Sequence, residues 1–353
     1  VMDPELLGLH AGIAVQTYLA ESGLILRELD ELAARRVSAG GEPIKVRLVK
    51  GANLAMERVQ AELRGWESPV LGSKAETDAS FLRAVDFCLT PERAGRLLVG
   101  VASHNVYSLA AAWEVARARG VADQMDIEML SGMGVPLQRV ILREVGRLRL
   151  YVPVVPRAEF DSAISYLVRR LEENAAPENF MSGAAHLGRD ASFLDREEVR
   201  FREAISLVSA PTPQRWATQT RSDDEPGFTN APDTDPALRA NQEWAAAIQE
   251  LLPTPGLGAA LVSHATASTP ARIESVLERG RRAGELWGGV RPAARASALR
   301  RLAAELEESR TALVAVAADE VGKLIDQADV EVSESVDFAS YYAERATDRV
   351  DGA

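Results

Sequence analysis

Over residues 1 to about 185 the chain alternates short apolar runs with longer amphipathic stretches, and this alternation constrains its fold more than any other feature. Apolar runs bounded by turn residues predict strands at 12–18, 45–49, 97–102, 125–130 and 148–154. Between them, helical spacing of the apolar positions predicts helices at 24–36, 79–89, 108–119 and 137–145. Repeated strand–helix units demand a parallel sheet with helices outside it, because a parallel neighbour is reached only by a crossover. Polar residues stand at the C-terminal ends of these strands: Gln16, Lys50, Ser103, His104, Asn105 and Ser131. Barrel active sites are built at that edge, so the pattern fits part of a (β/α)8 barrel better than an open sheet. Five such units cannot close an eight-stranded barrel.

From Asp190 to about Arg239 the texture changes. Pro211, Pro213, Pro226, Pro232 and Pro236 stand among Ser, Thr and Asp, which predicts a linker or surface-wrapping segment. Beyond it, 236–252 and 270–344 read as helices; 291–308 is clearly amphipathic, and only 259–263 resembles a strand. The net charge of −12 argues against a nucleic-acid partner, since phosphate binding requires clustered Lys and Arg. One cysteine, Cys88, excludes an internal disulfide and fits a reducing compartment, so a cytoplasmic setting is expected. Cys88 reads as a small buried residue on a helix, not a nucleophile. The four histidines lack metal spacing, and no metal site is predicted. No apolar run approaches the ~20 residues that cross a bilayer. Val1-Met2-Asp3-Pro4 lacks a signal peptide's basic start, and the helical pattern that begins at once predicts further chain before it.

Three segments could carry chemistry. Arg47-Leu48-Val49-Lys50-Gly51-Ala52 is a buried strand that delivers two cations and a glycine to the catalytic edge. The cations could stabilise an anion such as a reduced flavin or a phosphate, with Gly51 admitting a ligand close to the backbone; ordinary strand-end charges explain the segment equally well. Arg47 alternates onto the side of Val49 and should point inward, where a charge requires a partner or a function. Ser103-His104-Asn105 offers a hydroxyl, an imidazole and an amide that suit a polar cofactor, a reading favoured over His104 as a general base. On a helix over 166–174, Glu173 lies within reach of both Arg169 and Arg170. Two braced guanidiniums can clamp a carboxylate, and Tyr151 can add a ring and hydroxyl to the same pocket; a solvated charged face is the competing explanation.

Taken in order, Gln16-Thr17-Tyr18, the 47–52 segment, 74–78, Ser103-His104-Asn105, 128–133, Tyr151-Val152-Pro153 and 166–174 resemble the proline dehydrogenase family in its fused proline utilization A form. The resemblance implies an α/β fold: the C-terminal part of a (β/α)8 barrel over 1–188, comprising its last five strands and holding FAD noncovalently. It implies that Gln16, Arg47, Val49, Lys50, Gly51, Ala52, Ser103 and His104 contact FAD, with Arg47 in the catalytic position near flavin N5. Tyr151, Tyr166, Arg169, Arg170 and Glu173 are implied to shape the proline pocket, the arginines binding the carboxylate, while Leu130 packs on the ring. The implied reaction is hydride transfer from L-proline C5 to the flavin, giving 1-pyrroline-5-carboxylate. Electrons then pass to a membrane quinone, with peripheral association at the inner face of the membrane. Asn53-Leu54 departs from an aromatic pair common in the family, and the barrel's first three strands would lie before Val1.

After a linker over 189–229, residues 230–353 resemble the mainly helical N-terminal portion of an aldehyde dehydrogenase of the glutamate-semialdehyde type. The matching residues include 230–236, 241–244, Trp287, Arg295, 299–302, Glu320-Val321-Gly322-Lys323 and 331–342. The implied second activity oxidises glutamate semialdehyde to glutamate with NAD, its catalytic residues and NAD-binding strands following Ala353. On the residues alone, Glu320 and Lys323 read as a solvated pair worth little. The full-length enzyme is implied to be a homo-oligomer, and this piece alone is expected to be inactive. Two other readings stay open: a non-catalytic remnant of such an enzyme, and a barrel lyase using Lys50 as a Schiff base, which leaves the paired arginines unexplained.

Overall fold

The structure, a computed structural model, describes residues 2–176, 179–183, 191–212, 215, 219, 227–252 and 256–348. Five strands, β1 (Gly12–Gln16), β2 (Ile44–Val49), β3 (Leu97–Ala102), β4 (Met125–Leu130) and β5 (Arg149–Tyr151), form one sheet in sequential order. Every neighbouring pair is parallel. Helices α1 (Ser22–Ser38), α2 (Leu54–Arg64), α3 (Lys74–Cys88), α4 (Val106–Ala118) and α5 (Val135–Val145) connect them. Then follow α6 (Phe160–Ala175), α7 (Phe180–Gly183) and α8 (Ala191–Leu207). The chain divides into two compact units, residues 1–59 with 68–215 and residues 60–67 with 216–353.

Parallel strands in sequential order form the wall of a barrel; a doubly wound sheet would reverse its order at a switch point. The two faces confirm this. On one face, Val15, Val46, Leu48, Val99, Val101, Ile127 and Met129 pack into a single core with helix residues such as Leu26, Phe81, Val85, Leu109 and Ile141. By alternation and register, the other face carries Gln16, Lys45, Arg47, Val49, Gly100, Glu128, Leu130, Arg149 and Tyr151. Cys88 belongs to the apolar core, and burial pushes its thiol up to about 12. A thiol reagent is therefore expected to leave Cys88 unmodified in the native protein, and Cys88→Ala should cost about 1 kcal/mol in thermal unfolding. Native-state labelling on the time scale of a free thiol would contradict this burial.

The strands fall where the apolar runs predict, with β5 shorter than 148–154 because Pro153 cannot donate to a ladder. Helix α2 is unannounced by the sequence: Met56, Val59 and Leu63 are exposed and only Ala61 is buried, so no apolar stripe marks it. The segment from Asp190, which reads as linker, opens with α8, because its helix-breaking prolines begin only at Pro211.

The second unit contains α9 (Arg239–Leu251), α10 (Ala259–Ala265), α11 (Pro270–Gly288), α12 (Pro292–Glu308), α13 (Arg310–Val321) and α14 (Ile325–Asp348). The strand-like run at 259–263 is helical, its flanking alanines outweighing the Leu261-Val262 pair. Ile248, Val314, Ala315, Ala328 and Val332 form the core of this unit. Buried Arg310 ties α13 to α14 through Asp329 at 2.7 Å and Ser333 at 3.1 Å. Lys323 pairs with Glu331, not Glu320, because Gly322 ends α13 at φ +69° and the chain enters α14 after it.

Candidate functional site

Arg47, the charge predicted to point inward from β2, finds its partner two strands away. Arg47 Nε donates to Glu128 Oε2, and Lys45 Nζ lies 2.9 Å from Glu128 Oε1 and 2.6 Å from Asp126. Arg149 reaches the same Asp126 at 2.9 Å. Glu128 is 2% exposed, a burial that only paired charge makes tolerable. Between β2 and β4 runs β3, whose residue on this face is Gly100, in register with Arg47. A Cβ there would collide with the Glu128 carboxylate, so this glycine is what lets the charges meet across an intervening strand. Glu128 is the residue that sequence reasoning missed as the partner of Arg47. Its signal was present, since Asp126 and Glu128 alternate on β4 with the same period as Lys45 and Arg47 on β2.

From Arg47 the contacts continue outward. Its guanidinium lies 5.3 Å from the centroid of the Tyr151 ring, and Tyr151 and Tyr166 are tilted against each other at 5.8 Å. One turn further along α6, Arg170 lies 5.5 Å from the Tyr166 ring and pairs with Glu173 at 2.6 Å. Beside these residues is a cavity of about 170 Å3 lined by Leu130, Ser131, Met133, Tyr151, Tyr166 and Leu167 among others. That is well below the roughly 300–1,000 Å3 of drug-sized sites, so it suits a small ligand. Burial raises the Glu173 carboxyl above its ordinary value, with Arg170 acting against it, and burial likewise raises the Tyr166 hydroxyl. Arg170 Nε is buried without a hydrogen-bond partner among the described residues. The two arginines predicted as a pair thus differ: Arg170 is set into this cluster, whereas Arg169 is exposed.

The strand ends form a second group. Lys50 Nζ sits 2.7 Å from Asp78 and 5.6 Å from the Phe81 ring centroid. Burial pulls its ammonium below the ordinary lysine value, and Asp78 resists that pull. Gly51 adopts φ +128° with its Cα directly against the Tyr18 ring. Gln16, Val49, Ala52, Ser103, His104 and Leu130 are all half-buried. Asn105 is spent on structure: its side chain accepts from Ser108 N at 3.1 Å and caps α4, while Ser103 Oγ accepts from Asn105 N at 3.0 Å. His104 Nε2 is buried with no hydrogen-bond partner among the described residues, and burial holds the imidazole below its ordinary pKa. A neutral ring of this kind suits hydrogen bonding to a polar group better than proton abstraction.

The proline dehydrogenase family model matches residues 1–183, and that of the aldehyde dehydrogenase family matches residues 251–353. The bifunctional protein PutA of Escherichia coli strain K12 is 29% identical over 379 residues, which is 98% of this chain and 28% of that protein. Proline dehydrogenase 2, mitochondrial, of Arabidopsis thaliana is 29% identical over 164 residues, 45% of this chain and 33% of that protein. Among solved structures, proline utilization A from Corynebacterium freiburgense superposes with a TM-score of 0.71 at 38% identity. That match covers 100% of this chain and 32% of the other. The chain therefore spans less than a third of the length of the bifunctional relatives it resembles.

Proposed function

This chain belongs to the proline dehydrogenase family, and we propose that it is a stretch of a bifunctional enzyme that oxidises L-proline to 1-pyrroline-5-carboxylate and then glutamate semialdehyde to glutamate. Within it we assign 1–188 to the barrel, 189–229 to a linker and 230–353 to the aldehyde dehydrogenase portion. The observation that carries the reading is the continuous series Glu128, Arg47, Tyr151, Tyr166, Arg170, Glu173, whose two tyrosines line one small cavity.

The residues fit a flavin beside a carboxylate ligand. His104 Nε2 and Arg170 Nε are buried polar atoms that a bound group would satisfy. When bound, FAD supplies the acceptor for the hydride. Around it, Gln16, Val49, Lys50, Gly51, Ala52, Ser103 and His104 would hold the cofactor, with Lys50 2.7 Å from Asp78. Arg170, braced by Glu173, takes the proline carboxylate, with Arg169 joining from the exposed side. Leu130, Tyr151 and Tyr166 wall the cavity and offer apolar surface to the proline ring. Arg47 would stabilise the negative charge that the acceptor gains with the hydride.

The proposal extends to a membrane quinone as electron acceptor, peripheral contact at the inner face of the membrane from a cytoplasmic enzyme, homo-oligomerisation and NAD for the second activity. No helix among the described residues is long and apolar enough to cross a membrane. A lyase using Lys50 is the competing reading, because burial favours the neutral amine that a Schiff base requires, but its ion pair with Asp78 opposes that role. The full-length protein should purify with bound flavin and reduce an artificial dye only when proline is added. Protein free of flavin, with Lys50 trapped by borohydride in the presence of an aldehyde, would replace this reading with the lyase.

A further inference from the structure

Glu128 takes no part in the proposed reaction, yet it is the most deeply buried charge on the inner face of the sheet. It is held between Lys45 and Arg47, while Asp126 is already matched by Lys45 and Arg149. Arg47 is fixed at two points: its Nε donates to Glu128, and its guanidinium carbon stands over the Tyr151 ring, 5.3 Å from the centroid. Its terminal nitrogens hydrogen-bond to none of the described residues. An arginine anchored through Nε and against a ring has its remaining donors held in direction, whereas an unanchored one samples several rotamers. Resting on the proposed proline oxidation, we propose that Glu128 is the positioning residue that aims Arg47 at the flavin and the departing hydride, with Gly100 as the gap through which it acts.

This role is separable from a bare charge effect. If Glu128 acted through space alone, removing its negative charge would raise the flavin's midpoint potential, since an electron would be easier to add. If it acts by holding Arg47, the same change lets the nearer positive charge swing away, and the potential should fall, as it should in Arg47→Met. The test uses the full-length flavoprotein. In Glu128→Gln, kcat should fall about 10- to 100-fold with the proline KM nearly unchanged, the scale expected for misplacing a catalytic group by about 1 Å. The midpoint potential should fall, and the Glu128→Gln/Arg47→Met double variant should be no slower than Arg47→Met alone. Gly100→Ala displaces the carboxylate without altering its charge, and should shift the potential in the same downward direction. It decides the matter if the glutamine variant does not retain flavin. Unchanged kcat, a rise in potential, or losses that multiply in the double variant overturns the positioning role while leaving proline oxidation intact. A wild-type protein that does not oxidise proline overturns both.

Discussion

Arg170→Met in the full-length protein is expected to raise the KM for proline on the order of 100-fold while leaving flavin content unchanged, the scale of losing a charge-assisted carboxylate contact. The residue is largely buried, set against Tyr166 and paired with Glu173 at 2.6 Å, so its position is fixed before substrate arrives. Substitution also removes the one influence holding down the Glu173 pKa, which burial already raises. Glu173 should therefore stay protonated to higher pH in the variant than in the parent, and a pH titration of proline binding would show it. Arg169→Met should weaken proline by less than about tenfold, because an exposed guanidinium trades its contact against water. Steady-state kinetics on the two variants checks the ranking. Equal effects, or flavin loss in Arg170→Met, would contradict the placement of Arg170 at the carboxylate.

The second large effect is expected at Gly51. Its φ of +128° is strained for any side chain, and an added Cβ would stand 2.5 Å from Tyr18 Cγ. Tyr18 cannot yield easily, being 2% exposed and hydrogen-bonded through its hydroxyl to Glu57 at 3.1 Å. Backbone strain of about 1–3 kcal/mol and overpacking of about 1–3 kcal/mol act together. Their sum is a large fraction of the roughly 5–15 kcal/mol that holds a domain together. Gly51→Ala should thus give poorly folded, flavin-poor protein. Gly120, at φ +68° with open space around it, isolates the backbone part: Gly120→Ala should cost about 1 kcal/mol and retain flavin. Comparable thermal unfolding of the two variants would contradict the tight approach of Gly51 to Tyr18.

Much of this is legible in the sequence alone. Apolar runs placed all five strands, because a strand buried on its helix-facing side must be continuously or alternately apolar, and the fold class followed from their alternation with helices. The inward direction of Arg47 also followed from alternation. Its partner did not, because pairing across β3 depends on Gly100 being small and on a register no single strand reveals. The difference between Arg169 and Arg170 was likewise hidden: both lie within reach of Glu173 on a helix, and only the structure shows that Arg170 is the one set against Tyr166 and Glu173 while Arg169 is exposed. Helix α2 and the pairing of Lys323 with Glu331 escaped for a common reason. Each is settled by tertiary surroundings and leaves little trace in the spacing of apolar residues.

The most direct measurement is anaerobic. Full-length protein is mixed with saturating proline without any electron acceptor, and the visible absorbance of the oxidised flavin is followed. Loss of that band at a rate that saturates with proline and slows in Glu128→Gln is the predicted result. A flavin that stays oxidised in saturating proline, or a protein that binds no flavin, would contradict the site described around Arg47, Tyr151 and Arg170.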